Sequence, residues 1–259
     1  MDESRVFGSR PAILGHRGLG KGRVAGLAEN TVDSFLRAVE LGVDWVEVDV
    51  RRTCDDQLVV AHNPADDEGA FYADMTGDDA AERGALRLEE LLDALPYGVG
   101  VDFDLKTSME DATRDRAATT AALLAPFAAR EGASRPTLIT TFDPAALGIL
   151  RELVPGVARG LLTWREFPIG HAVAAAGHLD VQVLAAHWGS LRPNAIETDV
   201  MQRPLEYVVD LVHDSGCEFV AWCPPRKFSR QLIEAGVDAL CVNDVPKVMA
   251  SLLVGAGRG

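Results

Sequence analysis

Two short strings near the start of the chain bring together residue types that do acid–base and metal chemistry. The first is Gly15-His16-Arg17-Gly18, followed by Glu29-Asn30-Thr31. The second is Val46-Glu47-Val48-Asp49-Val50, followed by His62. An acid, a base, a cation for phosphate oxygens and hard oxygen ligands are the parts needed to cut a phosphate ester with a metal ion. Glu47 and Asp49 lie two apart in the run 44–50, whose β-branched and aromatic content predicts a strand. Both carboxylates therefore leave one face, with Val46, Val48 and Val50 on the other. Side by side on an apolar strand, they repel each other and lose hydration unless a counter-charge meets them. A divalent cation meets that need, and carboxylate oxygens suit Mg²⁺ or Ca²⁺.

A second strand, 99–105, alternates in the same way and runs into Lys106. Asp102, Asp104 and Lys106 share one face; Val101, Phe103 and Leu105 share the other. Asp104 is placed to complete the metal site. Lys106 is placed either to neutralise a phosphate oxygen or to hold the carboxylates. Asp102 serves either the site or an internal ion pair with Lys106. His16 closes the apolar stretch 11–15 and His62 closes 58–61, so each imidazole stands where a strand gives way to a loop. Two such histidines flanking a carboxylate pair suit general acid–base work. Arg17 offers a planar fork for phosphate oxygens.

The elements that must position these groups alternate along the whole chain. Strands are predicted at 12–15, 44–50, 99–105, 137–141, 157–162, 181–186, 217–223 and 238–242, with a short extended run at 58–62. Helices are predicted at 29–41, 114–131, 143–153, 202–215, 226–235 and 244–253. Eight strands with intervening helices in 259 residues imply a (β/α)₈ TIM barrel occupying 1–259 as a single domain. The candidate groups then fall at the C-terminal ends of the first three strands, where barrels place their sites. An open doubly wound sheet is the competing arrangement. It wants a Gly-rich phosphate turn after its first strand, which Gly18-Leu19-Gly20-Lys21-Gly22 resembles loosely.

Composition narrows the partners. The net charge is −14 and the basic residues form no block, which argues against nucleic acid. No apolar run reaches the roughly 18 residues of a membrane span. The opening residues lack the apolar core of a signal peptide. Cys54, Cys217, Cys223 and Cys241 show no metal-binding spacing and read as small buried residues in a reducing, cytoplasmic compartment.

The same residues resemble the glycerophosphodiester phosphodiesterase family. His16-Arg17-Gly18, Glu29-Asn30-Thr31, Glu47-Val48-Asp49-Val50 with Thr53, and His62 match its opening blocks. Asp104-Leu105-Lys106 matches its Glu-x-Lys strand. Thr141-Phe142 resembles its Ser-Phe segment, and Trp222 matches a Trp near the end of the seventh strand. Gly236-Val237-Asp238 through Asp244-Val245-Pro246 resembles its closing motif. The resemblance implies a TIM barrel that hydrolyses glycerophosphodiesters to an alcohol and glycerol 3-phosphate. It assigns a divalent cation to Glu47, Asp49 and Asp104, acid–base roles to His16 and His62, and phosphate binding to Arg17 and Lys106. Trp222 is expected to line the pocket against the glycerol moiety, since an indole face suits the C–H side of a polyol.

The chain departs from the family pattern in three places. Asp104 replaces a Glu and is about 1.5 Å shorter in reach. Ala28 replaces a Pro. The insertion after the second strand is reduced. Two further functions are compatible with these features. One is a lysophospholipase D-like lipid phosphodiesterase with an apolar rim drawn from Phe71, Tyr72, Trp164, Phe167 and Trp188. The other is a catalytically silent phosphate-binding barrel. Survival of both histidines favours the enzyme.

Overall fold

A computed structural model describes residues 5–8, 11–191 and 203–256. Eight strands close into a parallel barrel: β1 (Ala12–His16), β2 (Trp45–Arg52), β3 (Gly100–Leu105), β4 (Thr137–Thr141), β5 (Ala158–Thr163), β6 (Val183–His187), β7 (Glu218–Trp222) and β8 (Ala239–Val242). Each strand pairs with the next, and β8 returns to β1, which also pairs β2. The helices are α1 (Val32–Glu40), α2 (Gly77–Glu82), α3 (Leu88–Ala94), α4 (Thr120–Gly132), α5 (Pro144–Leu153), α6 (Ile169–Leu179), α7 (Leu205–Asp214), α8 (Arg226–Glu234) and α9 (Val245–Ala256).

Two apolar layers follow from the strand period of two. Outward-facing Val46, Val48, Val50, Val101 and Phe103 join the helices in the larger cluster. Inward-facing Ala12, Leu14, Trp45, Leu138, Val183, Ala185, Val220, Ala239 and Cys241 fill the barrel itself. Both strand faces are thus buried, as parallel strands wrapped by helices require. Phe7 plugs the N-terminal end of the barrel, its ring edge-on to Trp45 at 5.2 Å. Gly100 makes room for that indole: a Cβ there would stand 2.4 Å from the Trp45 ring.

The strands read from the sequence lie within a residue or two of those observed, but several helices differ. The helix expected at 29–41 begins at Val32. Asn30 adopts a left-handed φ of 57°, and Thr31 caps α1 by accepting from the Ser34 backbone N–H. The helix expected at 114–131 begins at Thr120, after two 3₁₀ turns, Met109–Thr113 and Arg116–Ala118. α6 was not expected. Its sequence, IGHAVAAAGHL, carries two glycines and two histidines and is apolar nearly all round, so no 3.6-residue stripe stands out.

The segment after β2 is an antiparallel extension rather than a plain loop. Leu58–Val60 pairs with β2 and with Leu86–Arg87; the short helix α2 lies between these two extended segments and α3 follows the second. The helix expected at 202–215 starts at a position outside the described residues and is seen as α7. The doubly wound alternative is overturned by barrel closure. The glycine-rich turn after β1 also has another purpose: a Cβ on Gly20 would lie 1.9 Å from the Asn243 carbonyl oxygen, so this glycine permits a close backbone approach to the chain after β8.

Candidate active site

Parallel registration places the acidic residues on two successive inward-facing rungs of neighbouring strands. His16 pairs with Glu47, Glu47 with Asp102, and Asp49 with Asp104 along neighbouring strands. All five side chains point into the C-terminal end of the barrel, and all five residues are buried. One carboxylate oxygen each from Glu47, Asp49 and Asp104 lies within 4.8 Å of the others. Glu47 Oε1 and Asp104 Oδ1 are buried without a hydrogen-bond partner among the described residues. Orphaned carboxylate oxygens converging on one point fit a hard divalent cation. The donor set suits Mg²⁺ or Ca²⁺, with Asp104 reaching the cluster despite its shorter side chain.

The carboxylates are held individually. Glu47 Oε2 accepts the Arg17 backbone N–H at 2.9 Å. Asp49 Oδ2 accepts from Asn30 Nδ2 at 3.0 Å and faces Arg17 Nε at 3.3 Å. Lys106 Nζ lies 3.0 Å from Asp49 Oδ1 and is hydrogen-bonded to Asp104 Oδ2. These contacts set the proton affinities. Burial, with Asp49 and Asp104 alongside, pushes the Glu47 carboxyl well above its ordinary value. For Asp49, burial works upward but Lys106 and Arg17 overcome it, and the carboxyl is held below the usual range. Asp102 accepts from Thr140 Oγ1 at 2.9 Å; burial and the Asp104 charge push it up to about 8.

The two histidines border the same cleft, which measures about 270 Å³ and also takes in Arg17, Lys106, Phe142, Trp164 and Trp222. His16 Nδ1 is 2.5 Å from Asn243 Oδ1, and Nε2 is 3.9 Å from Glu47 Oε2. An amide oxygen accepts only, so Nδ1 carries the proton in that contact and Nε2 is left for the cleft. Burial works against the His16 cation, but Cys223, 3.6 Å from Nδ1, and Asp49 outweigh it and raise the pKa. His62 is half-buried, with Nδ1 3.0 Å from Asn63 Oδ1. Burial lowers its pKa despite the pull of Asp49.

Arg17 lines the cleft in a left-handed conformation with φ 57°. Its Nη1 donates to Glu29 Oε1 at 2.9 Å, so two of its nitrogens already face carboxylates. The Glu29-Asn30-Thr31 string thereby gains a physical account: Glu29 grips Arg17, Asn30 grips Asp49 and Thr31 starts α1.

Trp222 ends β7, and its Nε1 is buried without a hydrogen-bond partner among the described residues. It stands edge-on to Phe142 at 6.1 Å, and Phe142 stacks on Trp164 at 4.1 Å. Of the suggested rim residues only Trp164 lines this cleft, 63% exposed; Phe167 packs against the core, and Phe71 borders a separate surface hollow. Sequence reading passed over Asn243, Cys223 and Arg51. Asn243 sits in the closing motif, beside Asp244, where the position gave a signal that the residue type alone did not.

Fold and site together define a (β/α)₈ barrel with an acidic, histidine-flanked cleft at the C-terminal ends of its strands. The profile of the glycerophosphoryl diester phosphodiesterase family matches residues 16–247, and the chain belongs to that family. A glycerophosphocholine phosphodiesterase of Schizosaccharomyces pombe is 41% identical over 87 residues, which are 32% of this chain and 7% of that protein. A glycerophosphodiester phosphodiesterase of Caldanaerobacter subterraneus is 45% identical over 51 residues, 20% of this chain and 19% of the relative. The matched stretches thus span only a small part of the curated relatives. Among solved structures, a glycerophosphodiester phosphodiesterase from Parabacteroides distasonis superposes with a TM-score of 0.75 at 24% identity, covering 96% of this chain and 99% of that one. An Oleispira antarctica phosphodiesterase, solved with the product sn-glycerol-3-phosphate, gives 0.72 at 20% identity, covering 96% and 99%. These structures share the fold.

Proposed function

We propose that the chain is a divalent-metal-dependent phosphodiesterase that hydrolyses glycerophosphodiesters to an alcohol and glycerol 3-phosphate. The observation that supports this most is the convergence of Glu47, Asp49 and Asp104 beside two histidines in one cleft. Those three carboxylates would hold the cation, which when bound supplies Lewis-acid stabilisation of charge on phosphate oxygens. Lys106 neutralises Asp49 and Asp104 and lies at the cleft wall, close to where a phosphate would sit.

His62, with its lowered pKa, is held neutral and so is available as the base, and His16, with its raised pKa, is held protonated and so is available as the acid. Asn243 keeps His16 oriented with Nε2 toward the reacting groups. Trp222 offers an indole face to glycerol at the end of β7.

Among the described residues no helix is long and apolar enough to cross a membrane. The sn-glycerol-3-phosphate held by the Oleispira antarctica relative supports a small phosphodiester as the substrate. Cys217 and Cys241 are buried as expected, whereas Cys54, beyond the end of β2, is exposed and Cys223 is half-buried. All four thiols are free, which supports a reducing compartment, and we place the protein in the cytoplasm. The test is a panel of glycerophosphodiesters assayed with Mg²⁺, Ca²⁺, Mn²⁺ or excess chelator. Metal-dependent release of glycerol 3-phosphate is expected. A site that binds phosphate but turns over no diester would mark a silent barrel instead.

A further inference from the structure

We infer that Arg51 is a phosphate-gripping residue of this cleft, an assignment that rests on the phosphodiesterase reading above. Arg51 follows Glu47 and Asp49 at the same period of two on β2, so it continues their face toward the barrel mouth, whereas Arg52 turns outward to Asp56. Three cationic side chains of the Arg and Lys type line the cleft: Arg17, Arg51 and Lys106. Two are already engaged by carboxylates. Arg17 meets Glu29 and Asp49, and Lys106 meets Asp49 and Asp104. Arg51 is half-buried and has no ion-pair partner within 4.0 Å among the described residues.

Its guanidinium is nonetheless fixed. Nε donates to the His62 carbonyl oxygen at 3.0 Å and Nη2 donates to the same oxygen at 2.6 Å. Nη1 makes no hydrogen bond among the described residues and is not sealed from solvent. A guanidinium anchored on one edge and open on another, with its charge unmatched at contact distance, is preorganised for a phosphate oxygen. The anchor lies on the residue that supplies one of the two imidazoles. Phosphate and His62 are thus brought into register by one side chain.

The test compares wild type with Arg51→Gln and Arg51→Lys, each loaded with Mg²⁺. Inorganic phosphate binding is measured by calorimetry, alongside Mg²⁺ affinity, melting temperature and KM and kcat for a glycerophosphodiester. A charge-assisted contact predicts that Arg51→Gln weakens phosphate binding and raises KM by roughly 10- to 100-fold. Mg²⁺ affinity and melting temperature should hold, and Arg51→Lys should recover part of the loss. Unchanged phosphate binding in Arg51→Gln would overturn the assignment. So would a loss confined to kcat and melting temperature, which would make Arg51 only a brace for the His62 backbone. Absence of saturable phosphate binding in wild type would overturn it too. If phosphate binds through Arg51 but no diester is turned over, the phosphodiesterase reading fails while the anion site stands.

Discussion

The chemistry of this cleft turns on the few charged atoms that its internal pairings leave unsatisfied. Among the described residues Glu47 Oε1 and Asp104 Oδ1 lack hydrogen-bond partners, while the charges of Arg17 and Lys106 face neighbouring carboxylates. The histidines differ in surroundings and therefore in expected titration. In the proposed roles His62 must be neutral to accept a proton, so activity is expected to fall as pH drops through its lowered pKa, below the ordinary 6.5. His16 must be protonated to donate, so activity falls as pH rises through its raised pKa, above 6.5. A bell-shaped pH–rate profile with limbs on either side of that value is expected. His16→Ala and His62→Ala should each lower turnover by roughly 10²-fold or more. The His16 variant should be rescued in part on a diester whose departing alcohol is acidic, because such an alcohol needs no proton. Equal loss of the His16 variant on good and poor leaving groups would reverse the assignment.

At the scale of elements, neighbouring residues of one string hold different parts of the site. Asn30 donates to Asp49 from a left-handed backbone position one residue before the α1 cap. Asn30→Gly removes the amide without straining that backbone, since glycine tolerates positive φ. Groups that orient metal ligands are typically worth about 10- to 100-fold in metal affinity. Asn30→Gly should therefore weaken Mg²⁺ binding by that order, read by calorimetry, with little change in melting temperature. Much of this was legible in the sequence. The period-two placement of Glu47, Asp49, Asp102 and Asp104 followed from strand geometry alone. Asn243 was hidden because its partner, His16, lies at the far end of the chain, joined only when β8 closes on β1. The unexpected helices escaped for local reasons: α2 and α3 are shorter than two full periods of a helical stripe, and α6 is too uniformly small and apolar to show one.

The whole barrel separates stability from chemistry along its axis. Its N-terminal end is closed by the segment Arg5–Phe7. Arg5 meets Asp238, the backbone N–H groups of Val6 and Phe7 donate to Glu218, and Phe7 packs on Trp45. The cleft opens at the other end. Truncating a buried Phe typically costs about 3–5 kcal/mol. Phe7→Ala should lower stability by about 3 kcal/mol in denaturant unfolding, yet leave Mg²⁺ affinity and KM near wild type. A matched loss of metal binding would show that the two ends are coupled.

The central claim is that Glu47, Asp49 and Asp104 hold a divalent cation required for hydrolysis. Its most direct test follows metal occupancy and turnover in the same preparation. Chelator-stripped protein is titrated with Mg²⁺, and in parallel with Ca²⁺, while glycerol 3-phosphate release is measured, for wild type and Glu47→Gln. Wild type should bind one cation, with turnover rising in step with occupancy. Glu47→Gln should lose both, and its cation-free form should melt no lower than wild type at neutral pH. The raised Glu47 pKa means that the folded state retains a proton the unfolded chain releases. Its contribution is therefore present below the ordinary carboxyl pKa and lost as pH rises through the folded value, a burden that Gln removes. Full turnover by wild type in excess chelator, or wild-type turnover by Glu47→Gln, would contradict the account.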